Sequence, residues 1–143
     1  MTDRLDVQRM VEELTRDEGL RLKPYRCTAG KLTVGIGRNL EDRGISKTEA
    51  EFLLHNDISD VIADLDREIP WWKDLDAVRR RVLVNMGFNM GIAGLLTFKN
   101  TLRLVREGQY LEAAQHMLAS KWAGQVGPRA VRLAQMMRDG EGM

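Results

Sequence analysis

Hydrophobic residues recur at helical spacing in two stretches of the first 70 residues. The first stretch predicts an amphipathic helix that Asp3 can cap and that fades near Glu18; its apolar positions are Leu5, Val7, Met10, Val11 and Leu14. The second begins with the capping-box pattern Ser46–Glu49 and ends at Pro70. Its predicted buried positions, at intervals of three and four, are Leu53, Leu54, Ile58, Val61, Ile62, Leu65 and Ile69.

Between these two helices the pattern changes to short strands. Residues 22–27 and 31–37 predict a hairpin around the turn "TAG", in which Gly30 can adopt a positive φ. Gly35 and Gly37 weaken the second strand, which predicts a bend or a close backbone approach there. The segment "EDRG" that follows predicts a turn.

From Asp76 onward the pattern is entirely helical. The helix that starts there is loosened near its end by three glycines, and further helices are predicted over 98–107, over 110–119 and from Pro128 to a point before Gly140. The expected architecture is a single α+β domain, mostly helical, over 1–143. It comprises a β-hairpin lobe (17–45), a connecting helix (46–70) and a helical lobe (71–143), with a cleft between the lobes as a natural ligand site.

Composition narrows the class of protein. The chain has 143 residues, 43% hydrophobic and 30% charged, which is typical of a soluble domain with a core. Its apolar runs are too short to span a bilayer, and the N-terminus lacks the apolar core of a signal peptide. A single cysteine allows no internal disulfide, which fits folding in the cytosol.

Charge is uneven along the chain, with a net −4 over residues 1–70 and a net +5 over residues 71–143. The basic half can face a polyanion or can simply be a solvated helical surface. The "RRR" run at 79–81 has no interleaved aromatic residues, which argues against a dedicated nucleic-acid site. We therefore expect no nucleic-acid partner.

The residues alone leave the chemistry open. Glu18, at the end of a helix, can be a proton donor in a cleft or an ordinary solvated carboxylate. Cys27 can be a nucleophile, a group that holds a water or a small buried residue. The two histidines, His55 and His116, lie in predicted helices without a catalytic motif, and no metal-ligand spacing occurs. We expect neither a metal nor a cofactor.

The stretch "DEGLRLKPYRCTAGKLTVGIG" (17–37) resembles the catalytic hairpin of the phage-type, T4-lysozyme-like muramidases. The motif of that family is a glutamate, eight residues, an aspartate or cysteine, five residues and a threonine. Glu18, Cys27 and Thr33 match it position for position. The resemblance continues in order through "ISKTEAEFLLHNDI", "LDAVRRRVLVNMGFNMG", "FKNTLRLV" and "YLEAAQHMLASKWAGQVGPRAVRL", and it covers roughly residues 8 to 135.

The resemblance implies a lysozyme-like fold and hydrolysis of the β-1,4 bond between N-acetylmuramic acid and N-acetylglucosamine in peptidoglycan. It implies that Glu18 is the general acid, that Cys27 and Thr33 position water or substrate, and that Arg129 pairs with Glu18 from the helical lobe. The residues that the resemblance places along the saccharide groove are Ile36, Phe88, Asn89 and Asn100. In one departure from the family pattern, Arg38 occupies the position where many relatives have histidine; in another, the segment from Leu40 to Ile45 is short.

As a phage-type endolysin, the protein would bind peptidoglycan strands as a monomer. It would stay in the host cytoplasm until a holin releases it to the cell wall, where it would lyse the cell. Two other functions remain open: a lytic transglycosylase that cuts the same bond without water, and a homologue that binds the cell wall without catalysis. Cys27 and Thr33 favour hydrolysis, because the transglycosylase route needs no residues that handle water.

Overall fold

The computed structural model describes residues 4–140. Its contacts divide the chain into two compact units, with the boundary between Glu51 and Phe52. We call them the N-terminal unit and the C-terminal unit. The fold is mostly helical with one small antiparallel sheet, as the sequence predicted. That the whole chain forms one domain, with lobes at 17–45 and 71–143 and a connecting helix at 46–70, stays a prediction.

The N-terminal unit contains two helices, a three-stranded sheet and the start of a long third helix. In chain order the elements are α1 (Val7–Glu18), β1 (Arg21–Arg26), β2 (Leu32–Gly35), β3 (Arg38–Asn39), α2 (Leu40–Arg43) and α3 (Lys47–Glu68). The strands pair antiparallel in the order β1-β2-β3. The sequence predicted the hairpin of β1 and β2, but it did not predict β3, and it assigned a turn to part of α2.

Helix α1 begins later than the sequence predicted. Its N-cap is Asp6, whose carboxylate accepts a hydrogen bond of 3.0 Å from the Arg9 backbone N–H. Asp3, the predicted cap, lies outside the described residues. The helix ends as predicted at Glu18, where Gly19 has a φ of 76° and its N–H donates to the Thr15 carbonyl.

The predicted capping box starts helix α3. The Glu49 N–H donates to Ser46 Oγ (3.1 Å), and the Ser46 N–H donates to Glu49 Oε1 (2.8 Å), so two N–H groups at the helix start are satisfied reciprocally. Of the predicted buried positions, Leu65 and Ile69 are in the core. Leu53 and Leu54 are 51% and 44% exposed. Burial of these two was wrong, and Leu54 instead lines an open cavity.

The C-terminal unit is helical after α3. Its elements are a 3-10 helix (Pro70–Asp74), α4 (Ala77–Leu96), α5 (Lys99–Arg106), α6 (Tyr110–Ala119), α7 (Lys121–Val126) and α8 (Pro128–Asp139). The sequence predicted neither the 3-10 helix nor α7, and it predicted α4, α5, α6 and α8 within a few residues. The largest side chains that are essentially inaccessible to solvent are Leu65, Val82, Leu83, Met86, Leu95, Val105, Met117 and Met137.

Helix α4 is interrupted where the sequence has glycines. Gly91 has φ 76° and ψ 162°, which are not helical values, so the helix is two segments joined at a kink. The predicted loosening at this end is confirmed. Over residues 4–140 no single helix is long and apolar enough to cross a bilayer, and only α4 and α5 together, bent by 108°, meet the criteria of length and composition.

Arg79 on α4 joins three elements of the C-terminal unit. Its guanidinium donates to the carbonyls of Met137 (2.7 Å) and Arg138 (2.9 Å) near the end of α8. It also pairs with Asp76 at 3.0 Å and lies 3.5 Å from the centre of the Tyr110 ring on α6. Only 12% of the Arg79 side chain is exposed. A partly buried cation at a helix C-terminus satisfies carbonyls that the helix itself cannot.

We therefore expect Arg79→Met to destabilise the chain. The substitution leaves the carbonyls of Met137 and Arg138 without their partner and removes the ion pair of Asp76, which should lower the free energy of unfolding by about 2–4 kcal/mol. Urea denaturation followed by circular dichroism measures the change. Arg103→Met, which removes an exposed ion pair with Glu107, is the matched control and should change stability by less than about 1 kcal/mol.

Candidate active site

Glu18 is the last residue of α1 and lies beside the β2–β3 turn. Its side chain lines a cavity of about 320 Å³ together with Val11, Leu14, Ile36 and Gly37. No side chain among residues 4–51 forms a hydrogen bond or an ion pair with its carboxylate. The carboxylate belongs to an exposed residue beside the turn, and its oxygens stay available to a ligand in the cavity.

Gly37 forms the surface on which the Glu18 side chain rests. A Cβ atom at Gly37 would lie 2.8 Å from Glu18 Oε2 and 3.0 Å from its Cδ, closer than real contacts allow. The φ of Gly37 is 73°, which also favours glycine. The close backbone approach predicted at Gly35 or Gly37 thus occurs at Gly37, since an added Cβ at Gly35 would meet nothing within 4 Å.

Cys27 follows β1 and opens the tight turn of the hairpin. Its N–H donates to the Lys31 carbonyl (3.0 Å), and its own carbonyl accepts from the Gly30 N–H (2.8 Å). Gly30 has a φ of 78°, as the predicted turn requires. The thiol is half-buried and free, so it is accessible to a small molecule.

Thr33 lies on β2, paired in register with Tyr25, and is only 3% exposed. Its hydroxyl donates to the Lys31 carbonyl at 2.8 Å, the same oxygen that accepts from the Cys27 N–H. A buried hydroxyl with a fixed acceptor is held in one orientation. The Lys31 carbonyl therefore joins the backbone of Cys27 to the side chain of Thr33.

The turn lowers the pKa of the Cys27 thiol below its ordinary value. The largest cause is a hydrogen bond from the Lys31 backbone, followed by one from the Ala29 backbone; the Thr33 hydroxyl adds a smaller effect in the same direction, and partial burial opposes them. Donors that face a thiol stabilise its anion more than its neutral form. This site favours a thiolate more than water does.

A network of hydrogen bonds and ion pairs joins the hairpin to α2. Glu41 on α2 accepts hydrogen bonds from the Arg26 guanidinium (3.1 Å) and from the Leu32 N–H (3.4 Å). Lys31 forms ion pairs with Glu41 (3.6 Å) and Asp42 (3.3 Å). These contacts link both strands to α2, so the hairpin that carries Cys27 and Thr33 does not depend on its strand ladder alone.

Arg38 and Glu49 form a second link within the N-terminal unit. The guanidinium donates to both oxygens of the Glu49 carboxylate (2.8 and 2.5 Å), and it also donates to the Gly44 carbonyl (3.2 Å). The Arg38 side chain is 22% exposed. The same Glu49 carboxylate accepts a hydrogen bond from the Ser46 N–H at the start of α3. The two-point contact between Arg38 and Glu49, called the fork below, therefore connects β3 with the start of α3. Sequence reasoning noted the arginine but did not find its partner.

One predicted groove residue, Phe88, shares a cavity in the C-terminal unit with Arg129, the predicted partner of Glu18. Phe88 and Arg129 line a space of about 650 Å³, with an apolar wall that includes Trp72 and Val84. The Arg129 guanidinium donates twice to Asn85 Oδ1 (2.9 and 2.7 Å). Asn85 was missed because nothing in the sequence marks which asparagine faces an arginine. The predicted pair of Arg129 with Glu18 joins residues of different units and stays a prediction.

The other two predicted groove residues of this unit lie elsewhere. Asn89 is exposed and accepts a hydrogen bond of 2.8 Å from the indole N–H of the buried Trp122. Asn100 lines a separate cavity of about 230 Å³ that also contains Lys99 and His116. The structure therefore does not gather Phe88, Asn89 and Asn100 into a single cavity. Ile36 lines the cavity of Glu18 in the N-terminal unit.

No metal centre is apparent among residues 4–140. The described residues contain no group of three or more His, Cys, Asp or Glu side chains that could hold an ion. The predicted catalytic residues are one carboxylate at the end of α1, one thiol after β1 and one hydroxyl on β2, and the cavity that Glu18 lines includes neither Cys27 nor Thr33. Such groups can donate a proton, orient a water and form hydrogen bonds with a sugar.

Comparison with known proteins gives a consistent set of similarities. The sequence profile described as "Phage lysozyme" matches residues 15–137, a range that contains Glu18, Cys27, Thr33 and Arg129. "Probable T4-type lysozyme 1" of Dictyostelium discoideum is 29% identical over 94% of this chain and 96% of its own length.

Two phage proteins are similar as well. The "Endolysin" of Acyrthosiphon pisum secondary endosymbiont phage 1 is 32% identical over 77% of this chain and 74% of its own length. The "SAR-endolysin" of Escherichia phage Mu is 30% identical over 86% of this chain and 78% of its own length. These similarities extend over both units and are not confined to the hairpin.

The Arg38–Glu49 fork makes the stability of the chain depend on pH. Arg38 is the main cause that lowers the pKa of Glu49 from 4.5 to about 2. The contribution of Glu49 is therefore present above pH 4.5 and is lost as the pH falls toward 2. We expect Glu49→Gln to lower the urea midpoint at pH 7, and we expect its deficit relative to the native chain to shrink as the pH falls through this window.

The matched control is Glu51→Gln, which removes one partner of the exposed Lys47–Glu51 pair at 3.8 Å. Urea unfolding at several pH values between 2 and 7 should give this variant a midpoint close to that of the native chain throughout. A deficit of Glu49→Gln that stays constant over the whole range would contradict the assigned pKa.

Proposed function

Because this chain belongs to the phage lysozyme family and is a lysozyme, we propose that it hydrolyses the β-1,4 bond between N-acetylmuramic acid and N-acetylglucosamine, with Glu18 as the general acid. Peptidoglycan is the substrate. The observation that carries the proposal is that Glu18 lines a cavity and that its carboxylate has no hydrogen-bond or ion-pair partner in its own unit.

The proton of Glu18 would go to the glycosidic oxygen as the bond breaks. This bond breaks through an oxocarbenium-like state, and the departing sugar oxygen is a poor leaving group until it is protonated. A carboxyl group free of neighbouring partners can approach that oxygen directly, because no existing hydrogen bond has to be broken first.

Cys27 and Thr33 would handle the attacking water. The turn lowers the pKa of the Cys27 thiol, and a thiolate can accept a proton or a hydrogen bond from water. The Thr33 hydroxyl donates to the Lys31 carbonyl, so its oxygen lone pairs are left to accept from the water. In this proposal Cys27 occupies the position of a carboxylate and performs part of its work.

The remaining predicted residues would bind the glycan. Phe88 is 43% exposed at its cavity and offers a flat apolar face to a sugar ring, while Arg129 offers a cation. Ile36 is 41% exposed beside Glu18. Asn89 and Asn100 carry exposed amides that would contact the strand at other points.

We also propose that the protein acts as an endolysin. Two similar proteins carry that name, and an endolysin must reach the cell wall to act. Accordingly, the protein would act on the wall as a monomer after a holin releases it from the host cytoplasm, and it would lyse the cell. Neither a cofactor nor a metal takes part in this scheme.

The first test concerns Glu18. We expect Glu18→Gln to reduce hydrolysis of purified peptidoglycan by at least about 100-fold, because an amide cannot donate the proton. Turbidity clearing measures the rate. Glu13→Gln, on the same helix but outside the cavity, should keep the native rate. If Glu18→Gln cleared cell walls at a near-native rate, the assignment would be wrong.

Product analysis separates hydrolysis from the transglycosylase reaction. Hydrolysis adds one water and leaves a reducing-end sugar, whereas a transglycosylase leaves an anhydro sugar that is lighter by that water. Mass spectrometry of the soluble fragments should show only reducing ends. Anhydro ends as the main product would favour the transglycosylase, and a lack of any cleavage by the native chain would favour a wall-binding homologue.

A third test concerns Cys27. If the thiolate handles water, the native rate should fall as the pH drops through the pKa of the thiol. Cys27→Asp should remain active and keep its rate to lower pH, because a carboxylate stays ionised down to about pH 4. Cys27→Ala should lose about 10-fold or more at pH 7. Rates against pH for the three proteins give the answer, and a native-like profile for Cys27→Ala would remove Cys27 from the chemistry.

A further inference from the structure

The β2–β3 turn beneath Glu18 is short and weakly held by its own ladder. Residues 36 and 37 form the turn, and β3 that follows has only two residues, Arg38 and Asn39. Just two residue pairs, Val34 with Arg38 and Thr33 with Asn39, join it to β2. So short a strand is marginal without further contacts. The position of the turn must therefore be set by something besides the sheet.

Arg38, the residue after Gly37, makes the contacts that hold the turn in position. Arg38 donates to both carboxylate oxygens of Glu49 and to the Gly44 carbonyl. A bidentate fork between two planar groups fixes direction as well as distance. Glu49 is itself fixed, because it accepts from the Ser46 N–H at the first turn of a 22-residue helix. Arg38 is thus tied to a rigid element.

From this geometry we propose that the Arg38–Glu49 ion pair is a positioning device for Glu18, acting through Gly37. The backbone that the pair holds is the backbone that the Glu18 carboxylate touches, since an added Cβ on Gly37 would lie 2.8 Å from Oε2. If the fork is lost, the turn shifts and the carboxylate loses its supporting surface. The inference rests on the proposed role of Glu18 as general acid.

Positioning of this kind predicts a loss in kcat with little change in KM. The sugar would still bind through other contacts, but the acid would be displaced from the glycosidic oxygen. A displacement of about 1 Å can cost up to about 100-fold in rate. We expect Arg38→Met and Glu49→Gln each to reduce kcat by about 10-fold with KM within about twofold of the native value, and Arg38→Lys to fall between them and the native chain because lysine cannot form the fork.

The experiment measures kcat and KM of each full-length variant on soluble, uncross-linked peptidoglycan strands. The temperature is one at which circular dichroism shows that every variant is folded. Lys47→Met is the matched control, because it removes an exposed ion pair with Glu51 from the same first turn of α3. We expect Lys47→Met to keep the native kcat. An Arg38→Met variant with the kcat of this control would overturn the inference.

A double-mutant cycle separates positioning from a general structural effect. Glu18→Asp withdraws the carboxylate from the Gly37 surface by one methylene, so support from the turn should no longer matter. We expect Arg38→Met to reduce kcat by less than about threefold in that background, against about 10-fold in the native one. If the two losses simply multiplied, Arg38 would not act through Glu18, and the inference would be wrong.

The same set of proteins shows which proposal fails. If Glu18→Gln keeps the native rate, the proposed acid is wrong and the inference falls with it. If Glu18→Gln loses activity while Arg38→Met and Glu49→Gln keep the native kcat, only the inference is overturned. Loss of kcat in all three, with the smaller effect in the Glu18→Asp background, supports both.

Discussion

The candidate site depends on the absence of a side chain at one position. Gly37 has a φ of 73°, and any Cβ there would overlap the Glu18 carboxylate. The proposed acid therefore lies against bare backbone, and the turn beneath it sets the surface that the carboxylate faces. Everything that fixes this turn, from the ladder of β2 to the fork on Arg38, contributes to where the carboxylate lies.

The two units are stabilised by different kinds of interaction. The apolar core begins at Leu65 and lies entirely in the C-terminal unit, where a single arginine, Arg79, satisfies the end of α8. In the N-terminal unit helix α1 has no buried residue, and Thr33 is the only buried residue of the described strands. Hydrogen bonds, ion pairs and glycine turns must define this unit, which is why its polar pairs bear directly on the site.

Sequence patterns predicted the elements whose signals are local. The capping box at Ser46 could be predicted because its two partners are three residues apart. The break in α4 at Gly91 could be predicted because glycine has a low helix propensity. The fork joins Arg38 and Glu49, which are eleven residues apart. The pair produces no periodic pattern in the sequence, so it could not be predicted. Asn85, the partner of Arg129 from 44 residues away, was missed for the same reason. Position alone also gave no reason to prefer Glu18, and only the resemblance of the whole hairpin singled it out.

The backbone of the hairpin turn accounts for the lowered pKa of the Cys27 thiol. The largest contributions to its lowered pKa come from the backbone of Lys31 and Ala29. The backbone N–H groups of the turn are present whichever side chain occupies position 27. Such donors stabilise a thiolate and a carboxylate alike. In the proposed mechanism such a turn would accept either aspartate or cysteine, because the turn supplies the anion-stabilising N–H groups and the side chain supplies only the anion.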